Sequence, residues 1–215
     1  MRLRKLAVSL GLGFVIAIVW TVMSPETIAD SGLVEDAGPA TLPAQESEGG
    51  EASEVRTQAI TVVLVRHAEK GTDDARDPSL SKKGEVRAHD LAQLLGHARV
   101  THLFASEYKR TQSTLVPLAQ QVGVEVKVHP ARDGKGMVAL LRALAPGSVA
   151  VVAGHSNTVP NMAEALGALI EELEETPRGR MLGEKEYDRM FIVQLYAEAS
   201  GMNPHLLELR YGDTE

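Results

Sequence analysis

Cysteine is absent from the chain, which excludes disulfides, a thiolate zinc site, a cysteine nucleophile and lipidation at cysteine. Stability has to come from packing alone. Aromatic residues make up only 4% against 44% hydrophobic residues over 215 positions, a balance that suits one ordinary globular domain with an additional segment. There is no Lys/Arg block. Residues 1–58 hold Arg2, Arg4, Lys5 and Arg56 against eight acidic residues, so that segment contributes −4 of the net −7 and leaves −3 for the rest. A weakly acidic domain of this kind lacks the electrostatic footprint of a nucleic-acid binder. Nucleic acid is therefore not an expected partner, and any anionic ligand must be caught by local groups. No internal repeat is visible, and "GKG" at 134–136 lacks the GxxxxGK[ST] frame of a phosphate loop.

The N-terminus carries the one long apolar run. Arg2, Arg4 and Lys5 precede an uncharged stretch of twenty residues, Leu6 to Pro25, in the layout of an export signal. Two fates fit. Twenty apolar residues are enough to span a bilayer, and "TIAD" offers a small-residue cleavage site after Ala29. Residues 1–25 are thus a signal peptide or membrane anchor. The basic flank stays inside and the remainder is extracytoplasmic, periplasmic or secreted, with a membrane tether through residues 6–25 if the segment is retained. Residues 26–58, rich in Glu, Ser, Gly, Pro and Ala, read as an acidic flexible linker.

Residues 59–215 form the expected domain. "AITVVLV" (59–65), "THLFAS" (101–106), "VEVKVHP" and "SVAVVAGHS" read as strands. They alternate with helices over 79–98, where Leu91, Leu94 and Leu95 recur at helical spacing, and over 110–123, 136–146 and 160–170. Pro117 either kinks its helix or marks a later start, and Pro160 suits a first helical turn. "FIVQLYAEA" and "HLLELRYG" read as a hairpin at a sheet edge, the latter a candidate for strand pairing between chains, although the oligomeric state is not legible. The alternation implies an α/β fold, a three-layer α/β/α sandwich with a mainly parallel sheet.

In such sheets ligands bind beyond the carboxyl ends of the strands. The first strand runs into Arg66 and His67, the second into Ser106 and Arg110, and the "SVAVVAG" strand into His155. Two arginines and two histidines on one rim make a pocket for a dianionic phosphoryl group. Ser106, Asn157 and Thr158 are either further donors to phosphate or helix caps. A metal held by His67, Glu69 and His155 is opposed by the neighbouring Arg66. His89, His97, His102, His129 and His205 have no such setting.

"RHAEK", "SEYKRTQST" and "GHSNTVP", in this order and each after a strand, resemble the histidine phosphatase superfamily, also called phosphoglycerate mutase-like, over about residues 59–210. The resemblance implies that His67 attacks phosphorus to form a phosphohistidine, with Arg66, Arg110 and His155 around the nonbridging oxygens and no metal or cofactor. The substrate it implies is a small or envelope-associated phosphomonoester. The general acid is open. Asp133 occupies the loop after the third strand, where many mutase-like members carry a glutamate. Glu69 is the other candidate, or a partner orienting Arg66 or Lys70. The phytase-like pattern, an acid directly after the second histidine, fails because Ser156 follows His155. Some compact members manage without a dedicated acid. The competing class is a phosphate-binding module or pseudoenzyme that keeps the pocket without turnover.

Overall fold

A computed structural model describes residues 58–213. The readings of residues 1–25 and, Gln58 apart, of the linker lie outside these described residues. Among the described residues no helix is long and apolar enough to cross a membrane.

The elements follow in the order β1 (Ile60–Arg66), α1 (Lys82–Leu95), β2 (His102–Ala105), α2 (Lys109–Val122), β3 (Val126–Val128), α3 (Gly134–Arg142), β4 (Val149–Gly154), α4 (Thr158–Ala165), β5 (Glu174–Thr176), β6 (Gly179–Met181), β7 (Arg189–Leu195) and β8 (His205–Arg210). Six strands form one sheet in the order β3-β2-β4-β1-β7-β8. The first four run parallel, and β7 and β8 are antiparallel additions beside β1. This is the three-layer, mainly parallel architecture expected from the sequence. The hairpin of β5 and β6 was not expected.

Strand periodicity sorts the core into two layers. Val62, Leu64, Phe104, Val152, Phe191 and Val193 face α3 and α4 through Met137, Leu141, Val159 and Leu166. Val63, Val65, Leu103, Ala105 and Val151 face α1 and α2 through Leu91, Leu95, Leu115 and Leu118. Because β1 is covered on both faces, it reads as an unbroken aliphatic run rather than an alternating one. Leu94, counted in the helical stripe from sequence, is 51% exposed, whereas Leu91 and Leu95 are buried. Helix α2 runs through Pro117, and Ser113 and Pro117 line a shallow surface pocket, so the missing amide falls on the wet side of the helix.

Helix starts are set locally. Ser81 Oγ accepts from Gly84 N–H at 3.1 Å to open α1. Asp133 Oδ1 accepts from Gly136 N–H at 2.9 Å to open α3. Helix α2 has no cap from its own flank; Asp77, from the loop after β1, accepts from Lys109 N–H at 2.9 Å. Gly84 allows the first turn of α1 to approach the chain just past β1, since a Cβ there would meet Glu69 O at 2.2 Å. Gly84→Val is therefore expected to lower stability by about 1–3 kcal/mol, as over-packing does in tight sites. Urea unfolding monitored by circular dichroism checks this, and an unchanged midpoint would contradict the close approach.

Candidate active site

Register brings the site together. Along the β1–β4 ladder Arg66 lies opposite Gly154, and His67 N–H donates to Gly154 O at 2.9 Å. His67 and His155 therefore leave the sheet side by side, with ring centroids 5.4 Å apart. On the other flank of β4, Ala105 pairs with Ala153, so Ser106 is carried to His155, and Ser106 Oγ lies 3.0 Å from His155 Nε2.

His67 is buried, and its Nδ1–H donates to the carbonyl of Ala68 at 2.8 Å, which leaves Nε2 as the nitrogen with a free lone pair. The tautomer is held in place from below. Ala68 N–H donates to Thr114 Oγ1 at 2.9 Å, and Thr114 Oγ1 donates to Arg110 O at 2.7 Å. Burial pushes the His67 pKa down to about 3; the Ala68 hydrogen bond opposes this, while Arg66, His155 and Arg110 add to it. His155 is pushed down to about 4, by burial first and then by Arg110, with Glu107 opposing. Both rings are neutral at pH 7.

The two arginines are held differently from ordinary structural ones. Arg66 Nη1 donates to the carbonyls of Gly183, Glu184 and Glu186 at 2.7, 3.0 and 3.3 Å, and its guanidinium stacks 4.1 Å from the Tyr187 ring centre. Its Nε is buried without a hydrogen-bond partner. Arg110 stacks 4.5 Å from the Tyr108 ring, and its Nη1, 3.6 Å from Asp77 Oδ1, also makes no hydrogen bond. Two buried N–H donors without acceptors, in a cavity with His67 and His155, are what an oxyanion would satisfy.

That cavity has a volume of about 530 Å³. Its lining includes Arg66, Arg110, Lys70, Arg76, Arg132 and Arg178 and no aspartate or glutamate. The N-termini of α2 and α4 open on it, adding partial positive charge.

The remaining sequence candidates are placed as follows. Asn157 stands at the start of α4 with no side-chain cap bond and lines the cavity. Thr158 Oγ1 accepts from His155 N–H at 2.8 Å. Ser106 bonds Thr111 and His155 rather than capping α2. Glu69 and Asp133 are not brought to His67. Glu69 forms a bidentate pair with Arg87, at 2.8–3.0 Å, and neither orients Arg66 nor lines the cavity. Asp133 is spent on the α3 cap and on His129 Nε2, 3.1 Å away. Among the described residues no three His, Asp or Glu side chains gather in a way that would hold a metal ion.

Several residues of the site carried no signal in the sequence. Tyr187, Arg178 and the 183–186 carbonyls come from a stretch with no strand-end motif. Glu107 Oε2 accepts from Ala131 N–H at 2.7 Å and so holds the loop carrying Arg132.

Residues 62–132, which include Arg66, His67, Ser106 and Arg110, match the sequence model of the histidine phosphatase superfamily, branch 1. Over that segment the chain is similar to the histidine phosphatase superfamily. It is 34% identical over 77 residues to a protein named probable phosphoglycerate mutase GpmB from Erwinia tasmaniensis, and 35% identical over 77 residues to the protein of that name from Cronobacter sakazakii. Each match takes in 33% of this chain and 36% of the relative, so the chain spans about a third of the length of these curated relatives. Among solved structures, a mycobacterial glucosyl-3-phosphoglycerate phosphatase superposes with a TM-score of 0.52 at 16% identity, over 73% of this chain and 100% of that one. The protein histidine phosphatase SixA, complexed with tungstate, superposes at 0.53 and 20% identity, over 70% and 96%. At these identities the likeness is one of fold, the phosphoglycerate mutase-like α/β/α sandwich.

A pH dependence follows from the two histidines. Their folded pKa values of about 3 and 4 lie below the ordinary 6.5, so between these limits the unfolded chain binds more protons. Stability is full above about pH 6.5 and falls on acidification, by up to about 1.4 kcal/mol per pH unit for each ring. Urea midpoints from pH 7 to 4 should show the fall, and His67→Gln should flatten it. An equal slope in that variant would mean that His67 is not held neutral.

Proposed function

We propose that the domain is a metal-independent phosphomonoester hydrolase acting through a phosphohistidine at His67, on a small or envelope-associated substrate. The observation that carries this reading is the His67 ring, with Nδ1 fixed on the Ala68 carbonyl and Nε2 free beside two buried guanidinium donors that make no hydrogen bond. Export or anchoring through residues 6–25 would place the activity outside the cytoplasm, supported by the basic flank and the uncharged run.

In this mechanism the phosphoryl group sits in the cationic cavity. Arg66 Nε and Arg110 Nη1 donate to its nonbridging oxygens. Thr111 Oγ1 donates to Tyr108 O at 2.7 Å, so the Ser106 hydroxyl donates to Thr111 and accepts from His155 Nε2–H at 3.0 Å, which fixes the neutral His155 ring beside the phosphoryl group. The His67 Nε2 lone pair attacks phosphorus, the P–O ester bond breaks, and the leaving oxygen takes a proton. Water then attacks the phosphohistidine, the P–N bond breaks, and inorganic phosphate departs as His67 regains its lone pair. The dedicated acid is the missing part. No carboxyl lines the cavity around His67, Glu69 is tied to Arg87, and Asp133, on the lining of the adjoining cavity, caps α3. Water then supplies the first proton, which favours leaving groups of low basicity. The same lack of an acid favours the second reading, a phosphate-binding module without turnover.

The two readings part on one measurement. The full-length chain, mixed with labelled aryl phosphate and quenched, is expected to carry an acid-labile, alkali-stable label that His67→Ala abolishes together with turnover. Arg110→Ala is expected to lower kcat/KM by about 10²–10³-fold, as loss of an oxyanion donor does. Phosphate binding without label or turnover between pH 4 and 8 would select the binding module.

A further inference from the structure

Beside the cationic cavity lies a larger one of about 890 Å³, open along the gap between α3 and α4. Both helices follow parallel strands, so both start at the rim that holds His155 and run back over the same face of the sheet. Small side chains keep them from closing. Val152 and the backbone at the ends of β2 and β4 form the floor, and Ala139 and Ala165 stand on the walls, where larger residues would fill the gap. Met137 and Met162, both buried, add an apolar lining. At the far end Arg142 Nη2 donates to Ala165 O at 3.1 Å and ties the two helices together.

The two cavities share Ala131, Arg132, His155, Asn157 and Thr158. They are compartments of one cleft, cationic around His67 and mainly apolar beyond His155, where Asp133, Lys135 and Arg142 also border the groove. We propose that the apolar compartment receives the alcohol part of the substrate, and that the substrate is an amphiphilic phosphomonoester with an elongated apolar group next to its phosphoryl head. This rests on the phosphatase reading. Continuity with the phosphoryl site names the occupant, since whatever leaves the phosphorus must start beside His155. The Arg142 bridge suits a tail of limited length entering from that end better than a polypeptide running through. An apolar tail in this groove would also supply binding energy and positioning to a site in which Asp133, the carboxyl bordering the groove, is engaged by Gly136 N–H and His129.

The test uses the full-length chain and para-alkylphenyl phosphates running from phenyl to octylphenyl. The acidity of the phenol hardly changes along this series while the apolar length grows. kcat/KM is expected to rise about threefold per added methylene and to level off once the tail reaches Arg142. Asn161 and Ala165 are exposed on the lip of the groove, so Asn161→Trp and Ala165→Trp fill it without entering the core. Each is expected to cut the octylphenyl-to-phenyl ratio of kcat/KM by roughly tenfold, equivalent to about two buried methylenes. A flat series, with phenyl phosphate still turned over through His67, would overturn this proposal and leave the phosphatase reading standing. So would an unchanged ratio in both variants, or faster turnover of an aryl phosphate bearing a carboxylate than of any alkyl member. No turnover of any member would remove the phosphatase reading, and this proposal with it.

Discussion

The parallel pairing of β1 with β4 is the constraint on which the site depends. Because Arg66 pairs with Gly154, the residues that follow each strand, His67 and His155, emerge as neighbours. A slip of one residue would turn every side chain of β1 to the opposite layer, and Val62 and Leu64 would trade places with Val63 and Val65. The two layers are not interchangeable, since one is filled by α1 and α2 and the other by α3 and α4. Core packing therefore fixes register, and register fixes the distance between the histidines. Gly154 contributes by its lack of a side chain, since a Cβ there would meet Thr158 Oγ1 at 2.8 Å and displace the hydroxyl that accepts from His155 N–H.

Charge in this domain is divided by use. Arg87, Arg189 and Arg210 each close on a carboxylate, of Glu69, Glu208 and Asp188, and they fasten elements together. Arg66 is held by three carbonyls and a tyrosine face instead, groups that fix its position without cancelling its charge. Arg110 keeps one ion pair, at 3.6 Å to Asp77 Oδ1, without a hydrogen bond. A cavity lining without carboxylates leaves positive potential for a ligand, and burial of both histidines keeps them from adding to the repulsion. The cost is borne by a neutral His67, which is also the form in which a ring nitrogen can attack.

Much of this was legible because the relevant residues lie where local sequence and global fold agree. A strand that ends in Arg66-His67 or Gly154-His155 announces both its length and its rim, and order along the chain puts the rims together. What could not be read depends on contacts distant in sequence. Nothing near Glu69 marks Arg87, on the next helix, as its partner. Asp133 sits three residues before Gly136, and whether such a carboxylate caps a helix or faces a pocket is decided by the loop conformation. The stretch 171–188 shows neither period clearly because its two strands are three residues each and half exposed. Yet it supplies Tyr187 and the carbonyls that fix Arg66.

Local choices also explain why one fold can hold two unlike compartments so close together. The β3–α3 and β4–α4 turns both reach the rim, and the cap bonds of Asp133 and Thr158 fix where each helix begins. From those starting points the helices flank the groove on one side of His155, while the loop bearing Arg76 lies on the other and Arg132 borders both. Glu107 lies between these sides, and its bond to Ala131 N–H pins the segment both compartments share. Burial on the sheet face sets the helices, and backbone capping sets the loops. The chemistry of each compartment can therefore be altered by side chains at the rim without disturbing the register that holds His67 beside His155.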